Sequence, residues 1–265
     1  MKPVHYVILD PTGNLTALVT SWGGKEDEEE ITARLMQESE QVAYLEPPAE
    51  PGALAYVRLM GGEFCGNAAM AAAGWLIRDR LQMGQEMTVP IEVSGAQGVL
   101  FCRIRGVENG FEGTVEMPRV LEIRPVEIDG IRLTEVRTEG ITHLIREEKE
   151  ALEKEKAEAL LLGFAEKSGV QAAGLMDRNP ETGFMKPLVY VRASHTLVWE
   201  TACGSGTAAV GAMEAWRRGN GTVTTVVPQP GGILRAEAAA EQGTVSGIRI
   251  TGTVRIGDEN SIQIP

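Results

Sequence analysis

The tightest constraint in this 265-residue chain is a short pattern that occurs twice. Gly62-Glu63-Phe64-Cys65-Gly66-Asn67-Ala68-Ala69-Met70 opens one apolar run, and Glu200-Thr201-Ala202-Cys203-Gly204-Ser205-Gly206-Thr207-Ala208-Ala209 opens another. Each places a cysteine before a glycine and a small polar residue. About four turns of Ala-rich helix follow, ending in Arg78 and Arg80 or in Arg217 and Arg218. A helix that is apolar all round must be buried on every side, so each half of the chain has to enclose one. Both cysteines fall at helix starts, where unpaired backbone N–H groups and the positive end of the helix dipole favour a thiolate.

The residues around the motifs supply the enclosing strands. Val4 to Leu9 and Leu15 to Thr20 are β-branched runs separated by Pro11-Thr12-Gly13-Asn14, a strand, turn and strand. A helix is expected over Glu26 to Gln37, then strands at Gln41 to Leu45 and Ala55 to Met60 leading into the first cysteine. The first Ala-rich helix is expected to reach about Leu81. Strands follow at Met87 to Val93, Gly98 to Ile104 and Phe111 to Met117, with Pro118 to Ile123 as a crossover. The second half repeats the scheme with strands near Val126 to Ile128, Arg132 to Arg137 and Thr142 to Ile145. Glu147 to Phe164 reads as a surface helix with Leu152, Leu160, Leu161 and Phe164 turned inward. Ala172 to Met176, Met185 to Arg192 and Leu197 to Glu200 then lead to the second cysteine. Thr222 to Val227, Gly232 to Ala236, Gly247 to Thr253 and Ile262 to Pro265 close the chain, with a turn at Gln229-Pro230-Gly231-Gly232. The fold class is α/β (α+β), many strands with one buried helix near the middle of each half.

Composition narrows the function. Lys plus Arg is 25 against Asp plus Glu 37, and the net charge of −12 repels nucleic-acid backbones and anionic membranes. No apolar run approaches the roughly 20 residues that span a bilayer, and the N-terminus has no signal-peptide pattern, so the expectation is a cytoplasmic protein. Three cysteines make no disulfide framework, and His5, His143 and His195 are isolated, so no metal site is expected. Cys102, in an alternating strand, reads as an inert small hydrophobe, and His5 and His195 as structural residues. Neither glycine-rich stretch has the Gly-Lys-Ser/Thr ending of a phosphate-binding loop.

Pro11-Thr12-Gly13-Asn14, Cys65-Gly66-Asn67, Thr142-His143, Cys203-Gly204-Ser205-Gly206 and Pro230-Gly231-Gly232 occur in the order of the diaminopimelate epimerase-like family of cofactor-independent racemases. The resemblance spans nearly the whole chain. It is strongest to the branch that racemises histidine for staphylopine-type metallophores, through Glu40-Gln41-Val42, Gly62 to Ala69, Lys186 to Tyr190, Trp199-Glu200 and Gln229 to Gly232. It implies two pseudo-symmetric domains, each a β-barrel-like sheet wrapped around a central helix. The first would be residues 1–117, joined by the returning strand 256–265, and the second residues 118–255. It also implies an amino-acid substrate, no cofactor and a homodimer. The chain departs from the epimerase proper. The asparagine of an Asn-Pro-His segment is missing from Ile141-Thr142-His143, and the arginine of a Glu-Arg-Gly stretch is missing from Trp199-Glu200-Thr201, so diaminopimelate is disfavoured.

Racemisation removes the α-proton from one face of a carbon and returns it to the other, which two thiols can do as base and acid. Cys65 and Cys203 are the expected pair. No pyridoxal-binding lysine motif is apparent, so carbanion stabilisation would come from N–H groups of Gly66, Asn67, Gly204, Ser205 and Gly206 on the substrate carboxylate. The small residues after each cysteine let backbone approach the ligand. Asn14 and Asn67 resemble family residues that bind the α-amino and carboxylate groups, and Glu40 and Gln41 resemble pocket residues. Glu200 is placed to accept the α-ammonium or to poise a thiol, and His143 to assist one cysteine. Outside the racemase class stand a cysteine hydrolase with Cys203 as nucleophile, which leaves the Cys65 motif unexplained, and a small-molecule binding protein without chemistry.

Overall fold

The computed structural model describes residues 2–264. Two compact units divide the chain, Met1–Val115 with Thr251–Pro265 and Glu116–Ile250.

The first unit opens with β1 (Lys2–Pro11) and β2 (Thr16–Ser21). Their turn puts Thr12 and Gly13 at positive φ, 59° and 96°, and delivers Asn14 to the start of β2. A 3-10 turn over Lys25–Asp27 precedes α1 (Glu28–Leu35), so the expected helix starts two residues late and ends two early. β3 (Gln41–Glu46), β4 (Tyr56–Leu59), α2 (Gly66–Ile77), β5 (Glu86–Val93), β6 (Leu100–Val107) and β7 (Gly110–Glu116) follow. In the second unit come β8 (Val120–Ile128), β9 (Ile131–Thr138), β10 (Thr142–Glu147), α3 (Lys154–Ser168), β11 (Ala172–Arg178), β12 (Met185–Val191) and β13 (Thr196–Trp199). The chain finishes with α4 (Gly204–Arg218), β14 (Gly221–Gln229), β15 (Gly232–Glu241) and β16 (Thr244–Ile264).

In the first unit β1 to β7 are neighbours in chain order. β16 lies between β7 and β1, running antiparallel to β1 from Lys2 opposite Ile264 to Pro11 opposite Val254, which closes the strands on themselves. The parallel pair β2 and β3 is bridged by α1, and the parallel pair β4 and β5 by α2. On one face Ile31 and Leu35 of α1 pack with Val4, Tyr6, Val19, Val42 and Tyr44. α2 packs against β1, β2, β4, β5 and β6, and all its residues except Trp75 and Leu76 are buried. Each fully buried Leu, Ile or Met on such a surface contributes about 1.5–3 kcal/mol.

The second unit has a sheet of its own. A six-stranded sheet runs in the order β13-β12-β11-β10-β9-β8, with β10 and β11 parallel and bridged by α3. Ala157, Leu160, Leu161 and Ala165 of α3 pack on Leu133, Leu144, Ala173, Leu175 and Leu188, with Leu152 and Phe164 at the margin. α4 packs against β14 and β15 and also against β8, β9, β10 and β11. The requirement that both Ala-rich helices be enclosed is therefore met in each unit.

Three local expectations are corrected. Pro118 to Ile123 is no crossover: β8 starts at Val120 and pairs with β9 through to Ile128 opposite Ile131, and Pro125 is accommodated because β8 is an edge strand. α2 stops at Ile77, not near Leu81, where the backbone bonds tighten to three-residue spacing, Arg78 N–H to Trp75 (3.3 Å) and Arg80 N–H to Ile77 (2.9 Å), and the Arg78 side chain lies over the Trp75 ring at 4.2 Å. The two expected strands after Gly247 are one, β16, with a shift in register between the residues opposite Val7 and Leu9.

Candidate active site

In the first unit Cys65 is the N-cap of α2, with extended backbone (φ −135°, ψ 113°). Its sulfur accepts the Ala68 N–H at 3.5 Å. Beside it the structure gathers four residues from three segments. Asn14, only 4% exposed, is the hub. Its Oδ1 accepts from Gln41 Nε2 (2.9 Å) and Asn67 Nδ2 (3.1 Å), and its Nδ2 donates to Glu40 Oε2 (2.7 Å). Gln41 also donates to Thr16 Oγ1 (2.8 Å). Hydrogen bonds to a carboxylate are the stronger kind, so Glu40 fixes the orientation of the Asn14 amide, and that amide in turn orients Asn67 on the first turn of α2. Asn14, Glu40, Gln41 and Asn67, all expected from sequence, thus form one network. Thr16 is a member that sequence reasoning missed.

In the second unit Cys203 is the N-cap of α4 (φ −112°, ψ 110°) and is 4% exposed. Its sulfur accepts the Gly206 N–H at 3.3 Å and lies 3.4 Å from Ser205 Oγ. The thiol is pushed well above its ordinary range, first by burial and then by the charge of Glu200 and a hydrogen bond to it; Ser205 and the Gly206 N–H oppose this weakly. The expectation that the helix start makes a thiolate is overturned for Cys203. Desolvation and a neighbouring carboxylate outweigh two local donors, so this sulfur holds its proton.

The Gly206 reading also changes. Its N–H is taken by the cysteine sulfur, and a Cβ there would lie 2.1 Å from Met176 Sδ and 3.3 Å from Cys203 Sγ. Glycine is needed for close packing within the protein, whatever approaches from outside. The Gly66, Gly204 and Ser205 backbones lie in the first turns of α2 and α4, as expected.

His143 is fully buried on β10, and neither ring nitrogen has a hydrogen-bond partner among the described residues. It faces Gly174, where a Cβ would lie 2.3 Å from its Nδ1. Met176, two residues further along β11, reaches from beside that position to the first turn of α4. Burial holds the imidazole down to about 3, so it is neutral, and Met176 packs between its neighbour Gly174 and the first turn of α4. His143, expected to assist one cysteine, makes no hydrogen bond to either in this structure.

Sequence reasoning placed Gln229 in a turn and in a stretch that carries the resemblance, and gave it no role in the site. At the end of β14 and 4% exposed, it accepts the Cys203 N–H on Oε1 (2.7 Å) and donates from Nε2 to Thr207 Oγ1 (2.9 Å). Thr207 Oγ1 in turn donates to the Cys203 carbonyl (2.7 Å). The available signal was a glutamine on the buried side of an alternating strand, directly before Pro230-Gly231. Cys102 is buried and its thiol is raised to about 12, which leaves it unreactive, as expected. Among the described residues no three His, Cys, Asp or Glu side chains are grouped to hold a metal ion, and no helix is long and apolar enough to cross a membrane.

The chain that carries these two helix-capping cysteines is matched by a family profile. The one described as "Histidine racemase CntK N-terminal domain" covers residues 3–262. This chain belongs to the CntK histidine racemase family. It is therefore an isomerase of the amino-acid racemase class. A histidine racemase of Fusobacterium nucleatum subsp. nucleatum is 30% identical over 220 residues, covering 80% of each chain. One from Staphylococcus aureus is 28% identical over 242 residues, covering 87% of each. Among solved structures, a probable proline racemase from Agrobacterium radiobacter K84 superimposes with a TM-score of 0.73 at 14% identity, covering 99% of this chain and 93% of that one. That likeness concerns the fold alone.

Proposed function

We propose that this chain interconverts L- and D-histidine by two-base proton transfer at the α-carbon, with Cys65 and Cys203 as the two acid–base groups. The observation that carries the reading is the pair of thiols at helix N-caps, one in each unit, within a chain of the histidine racemase family. The two units are the pseudo-symmetric halves of a diaminopimelate epimerase-like fold, each with one thiol at a helix start. The histidine substrate, and its use in metallophore assembly, rest on the named relatives.

The reaction needs one thiolate and one thiol on opposite faces of the substrate carbon. Cys203, held protonated by burial and Glu200, is the acid of the resting enzyme. Cys65 is the base, and the roles exchange with the hand of the substrate. The N–H groups at the starts of α2 and α4 stabilise the negative charge that develops on the substrate carboxylate, and the Asn14–Asn67 pair orients the amino-acid end. Glu200 acts on the Cys203 proton. Neither step calls on pyridoxal phosphate. The protein acts in the cytoplasm as a homodimer.

The test is chiral chromatography after incubating the reduced protein with each common L-amino acid and with diaminopimelate. D-Histidine alone is the expected product. Turnover of diaminopimelate but not histidine would overturn the substrate assignment, and no turnover of any member would favour a hydrolase or a binding protein.

A further inference from the structure

We propose that Glu63 is a positioning residue for Cys65, holding the segment between β4 and α2 in the one conformation that presents the thiol as the cap of α2. This rests on the reading of Cys65 as an acid–base group and names a residue that acts through it.

The segment Gly61–Phe64 is gripped from three sides. The Glu63 carbonyl accepts the Ser94 hydroxyl at 2.7 Å, and the same hydroxyl accepts the Leu59 N–H at 3.0 Å, so one side chain ties the end of β4 to the approach to Cys65. Gly95, at φ +71°, presses its Cα on the next peptide: a Cβ there would lie 2.4 Å from the Phe64 nitrogen and 2.8 Å from the Glu63 carbonyl carbon. Gly62, at φ +74°, donates its N–H to Leu59 at 2.9 Å and makes the bend. The third grip is the Glu63 carboxyl itself. It folds back over its own loop toward the backbone N–H groups of Glu63 and Gly61, with Oε2 2.3 Å from where a Cβ on Gly61 would lie.

That posture is costly. Oε2 is buried with no hydrogen-bond partner, and burial raises the carboxyl above its usual range against the help of the two N–H groups. A glutamate in an exposed loop would relieve both penalties by turning to water. Here the backbone it holds leads in two residues to the thiol, whose sulfur must meet the Ala68 N–H to cap the helix. Ser94 and Gly95 fix the far side of the same peptide, so loss of the carboxyl grip frees the near side and lets Cys65 leave the cap.

The experiment compares Glu63→Ala, Glu63→Gln and Ser94→Ala, each with full histidine kinetics. It also measures iodoacetamide alkylation of Cys65 in a Cys203→Ser background. A thiol displaced by about 1 Å loses on the order of 10- to 100-fold in rate, so Glu63→Ala should lower kcat by that factor with KM little changed. Alkylation of Cys65 should change in parallel. Glu63→Gln, which keeps a carbonyl oxygen for the Gly61 N–H, should recover most of both, and Ser94→Ala should show a milder form of the same kcat effect. Parental kcat and alkylation rate in Glu63→Ala would overturn the proposal, as would a Glu63→Gln variant no better than alanine. The alkylation arm needs no turnover. If Cys65→Ser retained full racemisation, the catalytic reading of Cys65 would fall while the positional claim would still be decided by alkylation.

Discussion

Gln229 holds Cys203 by its backbone: Oε1 accepts the Cys203 N–H at 2.7 Å while Nε2 donates to Thr207, whose hydroxyl returns to the Cys203 carbonyl. A side chain from the end of β14 thus closes a ring around the peptide of the thiol residue. Replacing Gln229 with leucine should strand the buried Cys203 N–H at a cost of about 1–3 kcal/mol, while the Thr207 hydroxyl keeps its bond to the Cys203 carbonyl. Chemical denaturation should show the loss, and kcat should fall with KM less affected. Unchanged stability would mean that the ring closes in another way.

Glu200 keeps the Cys203 proton in place. Glu200→Gln removes the carboxylate charge that raises the thiol, so the pH profile of Cys203 alkylation should move to lower pH, while burial keeps it above that of a free thiol. The linkage sign follows from a folded-state value above the ordinary 9.0: the stabilising contribution is full below about pH 9 and is lost as pH rises through the folded value. The mutant should therefore lose less stability than the parent in alkaline solution. An alkylation profile that stays in place would show that Glu200 does not act on this sulfur.

The neutral His143 gives the opposite slope. Its folded value is depressed to about 3 from an ordinary 6.5, so the unfolded chain binds a proton that the folded chain refuses. Stability should be full above pH 6.5 and fall progressively as pH drops toward 3. His143→Leu should remove that part of the slope in urea titrations at pH 7 and pH 5. A parental slope in the variant would place the acid sensitivity elsewhere.

Gly74, midway along α2, meets the Phe111 ring: a Cβ there would lie 2.0 Å from Cζ. Alanine is the better helix former by about 1 kcal/mol, yet overpacking of a buried ring typically costs about 1–3 kcal/mol. Gly74→Ala should therefore destabilise the protein, and a second change, Phe111→Leu, should recover part of the loss. A more stable Gly74→Ala variant would mean that Phe111 moves aside without cost.

What was legible in the sequence was what repeats or alternates. The Cys-Gly-small motifs mark both buried helices because so apolar a helix has nowhere to go but the inside of a sheet, and the Asn14, Glu40, Gln41 and Asn67 network was carried by resemblance. What was not legible depends on partners distant in the chain. β8 is a strand because β9 pairs with it, although Pro118 and Pro125 suggest a break. β16 continues past a register shift at Gly257 because β1 pairs with it on both sides, from Val254 to Ile256 and from Glu259 to Ile264. Gln229 looked like a turn residue because nothing near it in sequence reveals that the Cys203 peptide lies within reach. The proton on Cys203 was misjudged for a related reason: the helix start is visible in sequence, and the burial that overrides it is not.

The most direct test of the two-thiol account is the fate of the α-proton. Histidine is incubated in D2O with the parent, with each single cysteine-to-serine variant and with Cys65→Ser/Cys203→Ser, and followed by proton NMR with chiral separation of the products. The account expects loss of the α-proton signal with the parent, deuterium at early times only in the newly formed enantiomer, and no racemisation with any of the three variants. Continued α-proton exchange in the double variant would contradict it.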